Sequence, residues 1–290
     1  MSELAVVPTA PASSDPGGRG WNAELELTFD VVCGKTRLVR RRHVGPLTVQ
    51  RPFHPERGGA CHVYLLHPPG GIVGGDRLDV TVDALPGAEV VVTTPAATKF
   101  YRSAGMTAVQ RARVTVAPGS VVEWLPQETL VFGGAHAENR LSVDVAPGGR
   151  FLGWDICCLG RPASGDAFES GSYRGALEVS AGGRPVVVER GRFSASAEVR
   201  RRRFGLGGSS VFGTFVALSD RPELAELVRS ALPEGTAGDH YGVTARRFSL
   251  VCRYLGDSVA RAREAFVRAW SVVRPALLDR PVSLPRIWAT

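Results

Sequence analysis

Four stretches of the chain repeat one pattern: a short strand, a small turn and a second strand. In three copies the turn is Pro-Gly, and in the fourth it is Ala-Gly. Proline presets φ at the first central position of a turn, and glycine accepts the positive φ that a type II turn needs at the second. Recurrence about every 30 residues is typical of stacked supersecondary units. The copies begin at Val80 (VTVDALPGAEVVV), Arg113 (RVTVAPGSVVEW), Leu141 (LSVDVAPGGRFLGW) and Ala176 (ALEVSAGGRPVVVE).

A single strand-turn-strand unit cannot bury its own apolar face, whereas stacked copies can. The repeats therefore predict a mainly β protein built as a β-helix or solenoid-like stack of hairpins. The alternative is an ordinary sandwich whose hairpins share a favoured turn. Before the repeats, residues 23–32 alternate between apolar and polar, and residues 36–40 continue after Gly34 as the return strand of a hairpin.

Two segments near the end of the chain have helical patterns. Residues 222–232 start with proline and carry apolar side chains at helical spacing. Residues 258–274 place an apolar stripe along a longer helix, with Asp257 as a candidate N-cap and Pro275 expected to end or kink it. Between the two helices, residues 247–255 are a strand candidate.

These helices are also a candidate docking surface, because exposed aromatic side chains commonly anchor protein interfaces. The anchors would be Leu224, Phe266 and Trp270. The alternative is that these side chains pack on the β-core.

Composition limits the class of protein. The 290 residues are 44% hydrophobic, enough for one large core or two smaller ones, and carry a formal net charge of +7. Residues 1–20 are rich in Pro, Ala, Ser and Gly and lack the basic and apolar regions of a signal peptide, so they are expected to be a disordered tail before a single domain over 21–290. No apolar stretch is long enough to span a bilayer, and we expect a cytoplasmic protein with no membrane partner.

The five cysteines do not suggest a disulfide framework, because the count is odd and no secretory signal accompanies it. Cys157 and Cys158 are adjacent in a strand-like run, so their side chains should point to opposite faces. Cys61, His62 and His67 lie close together in sequence, but their spacing is not that of a structural zinc site. They are candidate ligands for a transient metal ion such as nickel, which accepts thiolate and imidazole.

A glycine-rich segment at 67–77 (HPPGGIVGGDR) has the glycine spacing of a phosphate-binding loop. The position that should be lysine is Asp76, and a carboxylate would repel a nucleotide's phosphates. We therefore interpret the segment as a glycine turn that presents Asp76. A second polar segment, 93–103 (TTPAATKFYRS), contains Lys99, one of only two lysines. Lys99 is a candidate buried partner for Asp76 or Asp155, and simple exposure is the alternative.

Three carboxylates, Glu123, Glu128 and Asp155, lie in apolar, aromatic strands, where burial is costly unless the group is paired, hydrogen-bonded or metal-bound. For Glu123, exposure to water on the alternating face is the favoured interpretation.

Signals for nucleophilic or acid–base catalysis are weak: there is no G-x-S-x-G or H-E-x-x-H, and the six histidines are scattered. The arginine runs 40–42 and 200–203 lack interleaved aromatic residues and are interpreted as charged strand edges that oppose aggregation.

Six segments together resemble the urease accessory protein D family, also called UreD or UreH. They are GPLTVQRPFHPE (45–56), PPGGIVGGDRL (68–78), TTPAATKFYRS (93–103), EWLPQETLVF (123–132), FLGWDICCLGRPASG (151–165) and RPVSLPRIW (280–288). The resemblance runs from about residue 20 to the C-terminus and is weaker over 204–247.

The resemblance implies a β-helical, non-catalytic protein that acts as a nickel chaperone or scaffold in urease maturation. Its implied partners are apo-urease and accessory proteins F and G, and its implied cargo is a transient nickel ion rather than a tightly bound cofactor. By motif position, Asp76, Thr98, Lys99 and Asp155 would lie along an internal nickel channel.

Three other functions stay open from the sequence. A pure protein scaffold would pass no metal. A nucleic-acid-binding β-protein would explain the basic charge, although no nucleic-acid partner is expected. A solenoid enzyme would need a close carboxylate pair in an open groove.

Overall fold

The computed structural model describes residues 20–56, 58–195 and 198–289. The expected disordered tail, 1–20, lies outside the described residues except for Gly20. Over the described residues the chain forms seventeen strands and two α-helices. The predicted mainly β fold is confirmed.

The strands before the second repeat are β1 (Asn22–Val32), β2 (Lys35–Val44), β3 (Thr48–Val49), β4 (Cys61–Leu66), β5 (Arg77–Ala84), β6 (Glu89–Thr93) and β7 (Thr98–Phe100). The next seven are β8 (Ala108–Val116), β9 (Val121–Leu125), β10 (Thr129–Val131), β11 (His136–Val145), β12 (Arg150–Leu159), β13 (Ser172–Ala181) and β14 (Arg184–Ser194). The C-terminal elements are β15 (Val211–Leu218), α1 (Leu224–Ala231), β16 (His240–Arg246), β17 (Ser249–Gly256) and α2 (Val259–Leu278).

Two sheets face each other. The first has seven strands in the order β14-β13-β11-β8-β5-β1-β2. The second has ten strands, with the path β16-β17-β15-β12-β9-β6-β4-β3; off this path, the short strand β10 pairs with β12, and β7 pairs with β10. The predicted N-terminal hairpin is present, since β1 and β2 pair antiparallel across the turn at Gly34.

The repeats stack as a solenoid. In the first three copies the two strands enter different sheets, and the equivalent strands of these three copies pair with each other in parallel. Val82, Val114, Val143 and Val179 are therefore in register, and all four are buried. The Pro-Gly turns stack at one corner, where Gly119 N donates to Gly148 O at 3.1 Å. Only the fourth copy is a hairpin in the strict sense, because β13 and β14 pair with each other antiparallel.

The core has two apolar layers. Alternate side chains of both sheets fill the space between them, as the period-2 pattern predicts. A second layer lies between the outer face of the ten-stranded sheet and the two helices, and it includes Trp154, Phe215, Phe266 and Trp270.

The helices occupy the predicted segments with small differences at their ends. Ser258, rather than Asp257, is the N-cap of α2, and its side chain accepts from Arg261 N at 3.3 Å. Asp257 instead accepts hydrogen bonds from Ser210 N and Ser210 Oγ. Pro275 lies in the last turn of α2, which ends at Leu278. None of the helices in the described part of the chain combines the length and apolar character needed to cross a bilayer.

The prediction that Leu224, Phe266 and Trp270 are exposed anchors is wrong, because each is 0% exposed. They form the apolar stripes by which α1 and α2 pack on the sheet, so the alternative of packing on the β-core is the correct one. The following segment also covers this layer: Trp288 contacts the rings of Trp154 and Trp270, and its Nε1 donates to Thr93 Oγ1 at 3.0 Å.

One of the two arginine runs lies on a strand edge. Arg40 and Arg42 lie on β2, the end strand of the seven-stranded sheet, and pair with glutamates of β1. For the run at 200–203 the prediction is wrong, because it lies in a short 3-10 helix and the turn that follows rather than in a strand.

Candidate functional site

Asp155 lies on β12 and points into the space between the sheets. Its neighbours on the same face, Phe151 and Cys157, belong to the inner core, whereas Trp154 and Ile156 face the helices. Burial raises the pKa of Asp155 from 3.8 to about 6. Asn139 Nδ2 donates to Asp155 Oδ1 at 3.4 Å, a long hydrogen bond that leaves the carboxylate weakly paired. The structure thus places an ionisable group in the interior of the solenoid.

A cavity of about 140 Å³ opens beside this carboxylate. Its lining includes Asp155, Tyr173, Glu189 and Thr214. Glu189 is held by Arg253, whose Nε donates to it at 2.8 Å. The cavity therefore combines one weakly paired carboxylate with Glu189 and Thr214, which bond each other at 3.5 Å, and with the Tyr173 hydroxyl, which is buried without a hydrogen-bond partner among the residues that the structure describes.

A second cavity, of about 150 Å³, lies at the other end of the inner layer and is lined by His67, Thr98, Lys99 and Gln110 among apolar residues. Burial lowers the pKa of His67, against the opposing influence of the nearby Asp76. The His67 imidazole is therefore held toward its neutral form, which is the form that ligates metals.

A row of polar side chains joins the two cavities. Thr98 of β7 is paired with Thr129 of β10, which is paired with Cys157 of β12. The residues two positions after Thr98 and Thr129 are the core residues Phe100 and Val131, so both threonines face inward. Asp155 precedes Cys157 by two residues on the same face. We call these four residues, Thr98, Thr129, Cys157 and Asp155, the polar row.

Lys99 does not belong to this row. It is paired with Leu130, and Leu130 with Cys158, which face the helix side of the sheet. Within the described residues it forms no ion pair with Asp76 or Asp155, so the prediction of a buried lysine–aspartate pair is wrong. The strand alternation that turns Thr98 inward turns Lys99 away.

Asp76 follows the glycine turn, but the turn does not present it to solvent, because Asp76 is only 7% exposed. Its carboxylate accepts hydrogen bonds from Trp21 N at 2.8 Å and Val73 N at 3.0 Å. Gly75 has φ +94°, a conformation that side-chain-bearing residues rarely adopt. The carboxylate thus fixes the loop beside His67 and the second cavity.

Cys61, His62 and His67 do not form a metal site. Cys61 and His62 are consecutive on β4 and point to opposite faces, Cys61 into the inner core and His62 toward Glu56, whose Oε1 lies 2.6 Å from His62 Nε2. In the part of the chain that the structure describes, no group of three or more His, Cys, Asp or Glu is arranged to hold a metal ion. The prediction fails because consecutive residues of a strand point to opposite faces of the sheet, so neighbours in sequence do not become neighbouring ligands.

A buried ionic cluster was missed from the sequence. Glu123, expected to face water, is 2% exposed. Its carboxylate accepts from Arg274 Nε at 3.0 Å and from Trp270 Nε1 at 2.6 Å, and Arg274 also donates to Glu56. Burial would raise the pKa of Glu56, but hydrogen bonds from His62 and Arg274 hold that pKa below its ordinary value. A signal was available, because Arg274 follows directly on the apolar stripe of α2 that ends at Val273.

Fold and site together define a β-solenoid protein that carries a row of polar side chains between its two sheets. A family model, the UreD urease accessory protein, matches residues 22–289. Urease accessory protein UreD 2 of Brucella anthropi is 43% identical over 272 residues, covering 93% of this chain and 99% of the relative. Urease accessory protein UreD of Dechloromonas aromatica is 41% identical over 285 residues, covering 97% and 98%. The chain belongs to the UreD urease accessory protein family.

Proposed function

We propose that this protein is a non-catalytic maturation factor that helps to insert nickel into urease. It works in a complex with apo-urease and accessory proteins F and G, in the cytoplasm, and nickel is a transient cargo. The ion passes between the two sheets along the polar row. The observation that supports this proposal best is the line of polar side chains from Thr98 to Asp155 between the two sheets, beside a mainly apolar core.

The chemistry of the row suits passage. Nickel accepts oxygen, nitrogen and sulfur ligands, and single weak ligands let an ion move where a closed cage would hold it. With a pKa of about 6, Asp155 is mostly ionised at neutral pH and attracts a dication. Burial raises the pKa of Cys157 well above its ordinary value, so this thiol stays protonated and binds the ion only weakly.

The test is activation of apo-urease in a nickel-supplemented reconstitution with purified partners. Two substitutions, Asp155→Ala in the polar row and Asp76→Ala beside the His67 cavity, are called the channel variants. They are compared with Asp144→Ala, which replaces an exposed aspartate on the outer face of β11. We expect both channel variants to lower activation while still forming the complex in pull-down, and the control to behave as wild type. Unchanged activation in both channel variants would exclude passage along this route.

A pure scaffold is the second candidate, because both hydrogen bonds that fix Asp76 are donated by backbone amides, that of Val73 in its own loop and that of Trp21 before β1, which is a structural role. A scaffold loses activation only when the complex is lost. A variant that keeps the complex and loses activation therefore favours the nickel path, and a strict correlation between the two favours the scaffold.

A further inference from the structure

The corner of the solenoid is incomplete after the third repeat. The Pro-Gly turns that start at Pro86, Pro118 and Pro147 each carry the chain from the seven-stranded sheet to the ten-stranded sheet. The fourth copy turns back at Gly182–Gly183 and forms the β13–β14 hairpin instead. In the described residues no fourth turn therefore covers the edge of the inner layer at this corner. Solenoids need polar caps over such ends.

An apolar groove lies where the fourth corner would be. It has a volume of about 710 Å³, and its floor includes Val145, Val186, Leu218, Leu277 and Phe248. Phe248, at the tip of the β16–β17 hairpin, is 50% exposed. A half-exposed aromatic ring beside aliphatic side chains is typical of interaction surfaces.

The rim of the groove is basic. Arg150, Arg184 and Arg221 line it, against one lining carboxylate, Asp220. Arg221 is engaged by Glu223 and by Ala276 O. Arg150 and Arg184 are exposed, and neither forms an ion pair with any residue that the structure describes. Two free guanidinium groups beside an apolar floor complement a segment that carries both apolar side chains and carboxylates.

We propose that this groove binds a segment of a partner protein in which apolar side chains are flanked by acidic ones. A second copy of the chain fits less well, because the net charge of +7 makes two copies repel each other. The inference rests on the proposed function only for the identity of the partner protein that supplies the segment. The groove itself is defined by the missing corner and the arginine rim.

The first experiment uses a synthetic, fluorescently labelled peptide that alternates glutamate and leucine pairs, with a lysine–leucine peptide of the same length as its counterpart. Anisotropy at low salt should show binding of the acidic peptide alone. Arg150→Glu combined with Arg184→Glu should weaken this binding roughly ten-fold, and Phe248→Ala should weaken it as well. The matched control is Arg113→Glu combined with Arg174→Glu, which reverses two exposed arginines on the outer face of the seven-stranded sheet. Equal affinity in the groove and control variants would overturn the proposal, as would absence of binding to the wild type.

The second experiment places a photo-crosslinking amino acid at Phe248 in the full chain, mixed with purified apo-urease or accessory protein F. A crosslink to an acidic segment of either partner, lost in the Arg150→Glu/Arg184→Glu variant, supports the proposal. A crosslink to a second copy of this chain overturns it. If the wild-type chain forms no complex with either protein, the proposed function fails, whereas the peptide experiment still decides whether the groove binds acidic segments. Far-UV circular dichroism verifies that every variant is folded.

Discussion

Glu123 and Arg274 form a fully buried ion pair in which Arg274 Nε lies 3.0 Å from both carboxylate oxygens of Glu123. Arg274 is 0% exposed, and it also bonds Glu56, so one guanidinium serves two carboxylates. The pair fixes α2 to β9 at the centre of the ten-stranded sheet. The outer apolar layer therefore has a charged anchor, whereas the inner layer is held by apolar packing around the polar row.

Replacing Arg274 with methionine should lower the free energy of unfolding by roughly 3–5 kcal/mol, because it leaves buried carboxylates without their cation. Urea denaturation measures the change. Arg268→Met is the matched control, since Arg268 lies on the exposed side of α2 and pairs with Glu264; its cost should be below about 1 kcal/mol. A similar small cost for both variants would contradict the structural role assigned to the cluster.

Asp155→Asn should stabilise the protein at neutral pH. Burial raises the folded-state pKa of Asp155 from 3.8 to about 6. Between these pH values the folded state binds more protons than the unfolded state, so the stability that this group contributes falls as pH rises and the full penalty is present above about 6. The asparagine variant removes this penalty, and its free energy of unfolding should rise by roughly 1–3 kcal/mol at pH 7.5.

The pH dependence distinguishes relief of a buried charge at Asp155 from a stabilisation that does not depend on ionisation. The difference in unfolding free energy between Asp155→Asn and wild type should shrink as pH falls from 7 to 4. Asp144→Asn, on the exposed face, should show no such trend. A gain that stays constant with pH would contradict burial of the ionised carboxylate.

Two glycines with nearly the same φ should respond differently to replacement by alanine. Gly171 has φ +101°, and a Cβ there would lie 2.2 Å from Ala135 O. Gly105 has φ +100°, with nothing within 4 Å of its Cβ position. Gly105→Ala should cost about 1 kcal/mol of unfolding free energy from φ alone, and Gly171→Ala clearly more, roughly 3 kcal/mol, because the chain must also move. Thermal unfolding of both variants tests this, and equal shifts would mean that the close approach at Gly171 is relieved without cost.

Thiol reactivity should single out one cysteine of the five. Cys33 is exposed at the β1–β2 turn, whereas the other four are buried. Burial raises the pKa of Cys61, Cys158 and Cys252 to about 12 each, so little thiolate forms at pH 8. An aromatic disulfide reagent should titrate one thiol rapidly in the native protein and five after denaturation. Cys33→Ser should abolish the rapid phase, and fast reaction of a second thiol would contradict the burial.

The repeat pattern was sufficient to predict the stacked β architecture and the helical segments, because turn chemistry and apolar periodicity are local signals. It did not show that the two strands of the repeat at 80–92 enter different sheets, because a strand-turn-strand unit has the same sequence pattern at a solenoid corner and in a hairpin. The inward direction of Asp155 followed from strand alternation once the sheet was known. The partners of Glu123 and the burial of Phe266 could not be predicted, because they depend on how α2 packs on a sheet formed much earlier in the sequence.

The distance in sequence between Arg274 and its two carboxylate partners has a consequence for biosynthesis. Arg274 follows Glu56 by 218 residues and Glu123 by 151. While the chain is on the ribosome, both carboxylates emerge long before the guanidinium that neutralises them, and covering them without it is unfavourable. The outer side of the larger sheet therefore stays open to water and to molecular chaperones through most of translation, and only the late arrival of α2 closes it.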